Sequence, residues 1–272
     1  MRLSVHHETV YHFAPPVRAV MQSHRLTPSL CEGQQVIEWN VTVDGASRGG
    51  AFRDGAGDWI ETISLLGPVE RMAIVVDGVV ETVDLSGVLR GHREAVPPMA
   101  YLRATRATRA DKAVTELAAD AVAGLSPGET LQKAHALSDA VADAIGYTPG
   151  ETAHGTTAVE ALALGHGVCQ DHAHALIACA LTLDIPARYV TGYLFASEDE
   201  GAHEASHAWA ELHVSGLGWV GFDPSNRSCP DDRYIRLGSG ADAADASPIR
   251  GVAQGAGEER LDVDVQVNQA AQ

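Results

Sequence analysis

The spacing of the apolar residues changes near Pro97-Pro98, and this change divides the chain into two kinds of structure. Before it, apolar and polar residues alternate, as in residues 2–13, which is typical of strands with one buried face. After it, apolar residues recur every three or four positions, as in residues 114–122, which indicates amphipathic helices. The sequence therefore predicts a β-rich region over residues 1–96 and a helix-containing region from residue 97 onward.

Turn signals divide the N-terminal region into strands. Asp44-Gly45, Asp54-Gly55 and Asp77-Gly78 are dipeptides that favour tight turns. The last of them lies between the apolar runs MAIVV and VVETV, so it predicts a hairpin at residues 77–78. We expect a small antiparallel β domain that supports the functional site without supplying reactive groups.

Helix signals follow in the second region. Ser126-Pro127-Gly128-Glu129 predicts a helix that is capped by Ser126, with proline at its first position. A second capping pattern, Thr157-x-x-Glu160, predicts a short helix that ends at Gly165.

A long apolar helix is expected after Gly167, followed by strands at Arg188 to Phe195, HAWAELHV and WVGFDPS. The fold class is therefore α+β. Residues 229–259 are rich in small and polar residues and read as mostly irregular. The alternating segment LDVDVQV predicts a final strand that returns to the core.

Cys169 lies where a glycine-rich turn gives way to the long helix. A helix N-terminus presents unpaired N–H groups and the positive end of the helix dipole, which stabilise a thiolate. The same N–H groups could hold an oxyanion. The alternative is a buried structural cysteine, and Cys179, which lies in the apolar face of the same helix, fits that alternative.

His207 and Asp223 are the candidate partners of Cys169. His207 opens one predicted strand, and Asp223 closes the next one after the turn Ser215-Gly216-Leu217-Gly218. Antiparallel pairing of the two strands would bring the two side chains together, so that Asp223 orients the imidazole that activates the cysteine. Taken singly, His207 reads as a surface histidine and Asp223 as a turn residue.

Two segments resemble the core motif of bacterial transglutaminase-like proteins, GHGVCQDHAHALIACALTLDIPARYVTGYL and ASHAWAELHVSGLGWVGFDPSN. The start, VYHFAPPVRAVMQSHRLTPS, is similar to the N-terminal β-region that accompanies this core in bacteria. The resemblance implies a papain-like α+β fold, with helices packed on an antiparallel sheet over residues 97–228. It also implies that a Cys-His-Asp triad acts on peptide or protein amides through a thioester, without cofactor or metal.

By this resemblance, Cys169, His207 and Asp223 take the triad roles. Four other residues are candidates for the oxyanion site or the cleft: Gly167, Gln170, His172 and Trp209. The chain lacks the tryptophan that animal transglutaminases carry upstream of the cysteine, since it has none between Trp59 and Trp209. Hydrolysis is therefore favoured over transfer.

Two other functions remain open at this point. His203-Glu204-Ala205-Ser206-His207 matches the HExxH motif of zinc peptidases, in which one helix carries both histidines. The residues after His207 alternate like a strand, which disfavours this function. A catalytically silent binding module is the third possibility, although all three triad residue types are present.

Charge and cysteine content bear on partners and location. The net charge is −17, with 36 acidic and 19 basic residues, so we expect no nucleic-acid partner and a preference against strongly acidic substrates. The four cysteines show no paired spacing, and no apolar segment of membrane-spanning length or signal-peptide character is present. We therefore expect a cytoplasmic protein without a membrane association.

Overall fold

The computed structural model describes residues 1–196 and 205–270. None of the helices in these residues combines the length and the apolar character needed to cross a membrane. The α-helices are α1 (Lys112–Ala121), α2 (Thr130–Ala144), α3 (Ala158–Leu164) and α4 (Cys169–Thr182). The strands are β1 (Arg2–His24), β2 (Gln34–Val43), β3 (Ser47–Arg53), β4 (Trp59–Thr82), β5 (Gly146–Tyr147), β6 (His166–Gly167), β7 (Ala187–Leu194), β8 (Ser206–Val214), β9 (Gly218–Phe222), β10 (Tyr234–Gly240), β11 (Ile249–Gln254) and β12 (Glu258–Gln269).

Two long strands organise the N-terminal sheet. β1 and β4 pair antiparallel along most of their length, and β2 and β3 pair with the other edge of β4. The predicted turn at Asp44-Gly45 is confirmed between β2 and β3, where Gly45 has a positive φ of 73°. The predicted N-terminal antiparallel β region is thus present.

The predicted hairpin at Asp77-Gly78 is wrong, because β4 runs through these residues without a turn. Gly78 pairs with Val5 on one side and with Trp39 on the other. A Cβ atom on Gly78 would lie 2.2 Å from Cε3 of Trp39, so the glycine is needed for the close approach of the indole. Glycine inside a strand can mark such an approach as well as a turn.

Replacing Gly78 with alanine is expected to lower the free energy of unfolding by about 1–3 kcal/mol, because the methyl group overlaps the Trp39 ring and forces it to move. Gly50→Ala in β3 is the matched control, since an added Cβ there meets nothing within 4 Å. Urea denaturation followed by circular dichroism measures both variants. Equal effects of the two substitutions would contradict the packing role of Gly78.

The second half of the chain packs its helices on a four-stranded antiparallel sheet with the order β10-β7-β8-β9. α4 lies at the centre of this half, and residues 171–180 of this helix are all buried. Its apolar side chains share one core with residues of α1, α2 and α3 and with the sheet. The α+β class with helices on an antiparallel sheet is therefore confirmed.

Two helix starts were predicted from capping patterns, with different outcomes. Thr157 and Glu160 form the expected capping box of α3, and Gly165 ends this helix with a φ of 68°. α2 begins at Thr130 rather than directly after Ser126. The N–H of Ser126 donates to Glu129 Oε2 at 2.6 Å, and the intervening residues form a turn that includes Gly128, a poor helix former.

The C-terminal segment differs from its prediction in two ways. Residues 234–240, expected to be irregular, form β10, which is buried along its whole length and extends the second sheet beyond residue 228. The final strand, β12, pairs with β1 of the N-terminal sheet and not with the core. Strand β1 is 23 residues long and offers an edge that β11 and β12 share. Side-chain patterns do not specify which edge a strand joins, because pairing uses the backbone.

Candidate active site

The chain reaches Cys169 through a short parallel pair of strands. β6 pairs with β5, and the N–H of Thr148 donates to the carbonyl of Gly167 at 2.8 Å. The next turn of the backbone starts α4, which places the half-buried Cys169 at the first position of the helix. Gly167 is needed for close packing, since an added Cβ would lie 2.7 Å from Cβ of Asp171.

Asp171 stabilises the start of α4 through hydrogen bonds to its buried side chain. Its side chain is fully buried, and Oδ2 accepts from the N–H of Val168 at 2.9 Å and from Oγ1 of Thr152 at 2.6 Å. A carboxylate in the first turn satisfies a free N–H group and interacts favourably with the helix dipole. The backbone around Cys169 is therefore fixed on both sides, by Gly167 and by Asp171.

Strand pairing brings His207 and Asp223 together as predicted. His207 lies at the start of β8, and Asp223 directly follows β9, the neighbouring strand. His207 Nε2 and Asp223 Oδ2 are 2.6 Å apart. The imidazole also interacts with the side chain of Cys169, and this interaction favours the charged form of the ring by raising the pKa of His207. The structure thus aligns the three residues in the order Cys169, His207, Asp223.

The electrostatics of the pair favour a charged imidazole. Burial alone would lower the pKa of His207, but the hydrogen bonds to Asp223 and Cys169 outweigh it and raise this pKa to about 10. Burial would likewise raise the pKa of Asp223, but the hydrogen bonds from His207, Ser225 and Asn226 lower it to about 2. The contacts with Asp223 and Cys169 therefore favour the imidazolium form of His207.

Asp223 has further partners that the sequence analysis did not single out. Asn226 donates through Nδ2 to Asp223 Oδ2 at 2.7 Å, and Ser225 donates through its backbone N–H to Oδ1 at 3.1 Å. The Asp-Pro-Ser-Asn order is a sequence signal for such contacts, because an aspartate side chain commonly accepts hydrogen bonds from the residues two and three positions later. Tyr234 also donates to Asp223, and no sequence signal points to it.

The remaining cleft candidates occupy different places. Gln170 is partly exposed beside Cys169, and its Nε2 donates to the carbonyl of His154 at 3.1 Å. His172 is not a cleft residue, because its ring is buried between the carbonyls of Val168 and Ile145. Trp209 is also buried, with its ring stacked at 6.4 Å from that of His207. Its ring packs against the imidazole, and Trp209 also lines a pocket together with Glu211, Gly221 and Tyr234.

The other three cysteines lie in settings that disfavour a thiolate. Burial raises the pKa of Cys179 to about 12. Burial also raises the pKa of Cys31 and of Cys229. Among the described residues, Cys169 is the one cysteine of the four whose side chain contributes to the raised pKa of His207.

Residues 1–196 and 205–270 contain no group of three or more histidine, cysteine, aspartate or glutamate side chains that could hold a metal ion. His203 and Glu204 of the HExxH match lie outside the described residues. His207 lies on a strand, whereas the motif requires one helix to carry both of its histidines.

Comparisons with known proteins agree with this architecture. An uncharacterized protein of Mycobacterium leprae is 30% identical over 99% of this chain and 99% of its own length. An uncharacterized protein of Mycobacterium tuberculosis is 30% identical over 92% of this chain and 87% of its own length. The crystal structure of a candidate cysteine protease from Cytophaga hutchinsonii superposes with a TM-score of 0.76 at 21% identity, covering 100% of this chain and 91% of that one.

Family models match both halves of the chain. The transglutaminase-like superfamily matches residues 115–224, which include Cys169, His207 and Asp223. The bacterial transglutaminase-like N-terminal region matches residues 3–81, which comprise β1 to β4 almost completely. The chain therefore belongs to the transglutaminase-like superfamily and carries the N-terminal region typical of its bacterial members.

Proposed function

We propose that this protein is a cysteine enzyme that hydrolyses amide bonds in peptides or proteins through a thioester. The observation that carries the proposal is the continuous contact from Asp223 to His207 to Cys169 at the start of a buried helix. An imidazolium next to the sulfur favours a thiolate, which is the nucleophilic form of cysteine. Cys169 is the proposed nucleophile, His207 the acid and base, and Asp223 the orienting group.

In the first half-reaction, the thiolate of Cys169 attacks the amide carbonyl carbon, and the carbonyl oxygen becomes an oxyanion. The N–H groups of Asp171 and His172 donate to the carbonyl of Val168, so those of Cys169 and Gln170 are the candidate donors to this oxyanion. His207 then gives its Nδ1 proton to the leaving nitrogen as the carbon–nitrogen bond breaks. The products are a neutral amine or ammonia and a thioester on Cys169.

In the second half-reaction, the now neutral His207 takes a proton from water, and the resulting hydroxide attacks the thioester carbonyl. The carbon–sulfur bond breaks, which releases a carboxylic acid and restores the thiolate and the imidazolium. Asp223 stays ionised throughout and keeps Nε2–H directed away from the sulfur. We favour water over an amine as acceptor because no tryptophan lies between Trp59 and Trp209 to assist the oxyanion.

The substrate class is proposed from family and charge. The structurally similar Cytophaga protein is described as a candidate cysteine protease, and we extend that class of reaction to this chain. The net charge of −17 favours neutral or basic peptides over strongly acidic ones. A silent binding module would not need the charged His207 that Asp223 and Cys169 maintain.

Trapping the acyl-enzyme tests the proposal. The protein is mixed with a library of neutral and basic peptides, quenched in acid, and examined by intact-protein mass spectrometry. We expect an added acyl mass on the native protein, which digestion assigns to the peptide that contains Cys169, and its complete loss in the Cys169→Ala variant. Hydroxylamine should release the adduct, since it cleaves thioesters readily. Absence of any adduct at Cys169 over the whole library would contradict the proposed class of reaction.

The zinc alternative makes opposite predictions for the same library. Glu204→Gln should have a mild effect in the cysteine enzyme, whereas a zinc peptidase would lose its general base and its activity. Chelation should leave acylation of Cys169 unchanged. Stoichiometric zinc that is removed together with activity by a chelator would favour the zinc enzyme.

A further inference from the structure

Tyr234, the first residue of β10, places its hydroxyl against the carboxylate that orients His207. Tyr234 Oη donates to Asp223 Oδ2 at 2.8 Å, and the same oxygen accepts from His207 Nε2 at 2.6 Å. The tyrosine side chain is 5% exposed and Asp223 is 1% exposed, so solvent has little access to these hydrogen bonds. A tyrosine hydroxyl and the proposed catalytic imidazole therefore share one carboxylate oxygen.

The ring of Tyr234 also contacts the neighbouring aromatic side chains. Its centroid lies 5.9 Å from the imidazole of His207, with an angle of 63° between the planes. It lies 5.5 Å from the indole of Trp209 in an edge-to-face arrangement at 85°. Edge-to-face packing is a favourable geometry for aromatic pairs. The ring and the hydroxyl of Tyr234 thus act on His207 by two separate routes, one direct and one through Asp223.

The carboxylate of Asp223 is crowded with donors. Oδ2 accepts from His207 and Tyr234 and from Asn226 Nδ2 at 2.7 Å. Oδ1 accepts from the N–H and Oγ of Ser225 at 3.1 and 2.5 Å, and from the N–H of Asn226 at 3.3 Å. A carboxylate offers about four lone-pair sites. Each additional donor therefore partly neutralises the negative charge of Asp223 and weakens its attraction for the Nε2–H of His207.

We infer that Tyr234 is a positioning residue that moderates the pull of Asp223 on His207. Its hydroxyl takes up part of the charge on Oδ2, so the imidazolium remains acidic enough to protonate the leaving nitrogen. Its ring keeps the plane of the imidazole in place. The inference rests on the proposed function, in which His207 acts first as an acid and then as a base.

The sign of the effect follows from the charges. Without the Tyr234 hydroxyl, more negative charge on Oδ2 faces Nε2–H, and the imidazolium becomes more stable. His207 should then lose its proton at a higher pH, by about half a unit to one unit for the loss of one such hydrogen bond. The charged groups that act on His207 are Asp223 and Cys169, and those that act on Tyr234 are Asp223 and Arg233.

The test is a titration of His207 by NMR of the imidazole in full-length proteins that carry Cys169→Ala. Removing the sulfur eliminates its charge from the titration, and no activity is needed. The His207 signal is assigned by its absence in His207→Gln. We expect Tyr234→Phe, which keeps the ring and removes only the hydroxyl, to raise the midpoint by half a unit to one unit.

Tyr193→Phe is the matched control. Tyr193 is 1% exposed, lies in β7 of the same sheet, and its hydroxyl contacts Nδ1 of His7 at 2.8 Å. It therefore loses a buried tyrosine–histidine hydrogen bond that does not involve Asp223. We expect a loss of stability in this variant without a shift of the His207 midpoint. A role of Tyr234 that is only structural would leave the midpoint unchanged in both variants.

Replacing Tyr234 with 3-fluorotyrosine gives the opposite test. This residue keeps the ring and the hydroxyl but is a stronger donor, so the midpoint of His207 should fall. If Tyr234→Phe does not fold, the 3-fluorotyrosine protein alone tests whether the Tyr234 hydroxyl affects the titration of His207. An unchanged midpoint in the folded Tyr234 variants, or an equal shift in Tyr193→Phe, would overturn the inference. Failure of the acyl-enzyme experiment would affect the proposed function and not this titration, which is independent of activity.

Discussion

Replacing His207 with alanine is expected to slow the alkylation of Cys169 by iodoacetamide about 100-fold at pH 6. Under the proposed mechanism, the imidazolium that Asp223 helps to maintain lies next to the sulfur and stabilises the nucleophilic thiolate. An unpaired thiol of ordinary acidity is only about 0.3% thiolate at that pH. The rate is measured by mass spectrometry of the peptide that contains Cys169, with samples taken over a series of times.

The other cysteines and one other histidine provide the controls. Cys179, Cys31 and Cys229 should remain largely unlabelled at pH 6, since burial raises the pKa of each. His135→Ala removes an exposed imidazole on α2 that contacts Phe222, next to Asp223. In this variant, Cys169 should be alkylated at the native rate. If His207→Ala and the native protein react at equal rates, the imidazole does not activate Cys169.

Replacing Arg236 with methionine is expected to lower the free energy of unfolding by about 3–5 kcal/mol. Arg236 Nε donates to Glu211 Oε1 at 2.8 Å, and Nη1 donates to Asp58 Oδ1 at 2.9 Å. All three side chains are at most 5% exposed. Without the guanidinium, Glu211 still has Arg188 as an ion-pair partner, whereas Asp58 retains only the more distant Arg25. Both carboxylates would then be buried with less positive charge nearby to stabilise them.

This cluster joins the two sheets, which is why its loss should be large. Asp58 precedes β4 of the N-terminal region, whereas Arg236 and Glu211 belong to β10 and β8 of the second sheet. Urea denaturation of the full-length protein measures the effect. Lys112→Met is the control, since Lys112 and Glu116 form an exposed pair at 3.4 Å whose loss should cost less than about 0.5 kcal/mol. A loss below about 1 kcal/mol for Arg236→Met would show that the cluster is not a structural junction.

Local patterns in the sequence predicted much of the architecture and the central part of the site. The change of apolar spacing near Pro97 marked the passage from a β-rich region to helices, because burial on one face imposes a period on any helix or strand. The start of α4 at Cys169 was predictable because a glycine-rich turn precedes the apolar helix. The capping box of α3 was predictable because capping depends on residues only three positions apart. The pairing of His207 with Asp223 was predictable because a short turn joins their strands.

Local patterns were insufficient where a distant residue decides the outcome. Asp77-Gly78 has the composition of a turn, yet it lies within a strand because the Trp39 ring packs on Gly78. β10 shows little alternation because both of its faces are buried, and the partner edge of β12 depends on backbone pairing with β1.

The same limit applies within the site. Residues close in sequence, Ser225 and Asn226, complete the contacts of Asp223 and belong to the quoted motif. Tyr234 lies beyond a further loop and reaches the carboxylate only because β10 pairs with β7 in the second sheet. The sequence by itself determined the periods, the caps and the Cys169, His207 and Asp223 set, since these depend on near neighbours. Tertiary structure alone decided the burial of His172 and Trp209, the contact of Tyr234 and the junction at Arg236, because these depend on strands that meet only in the folded chain.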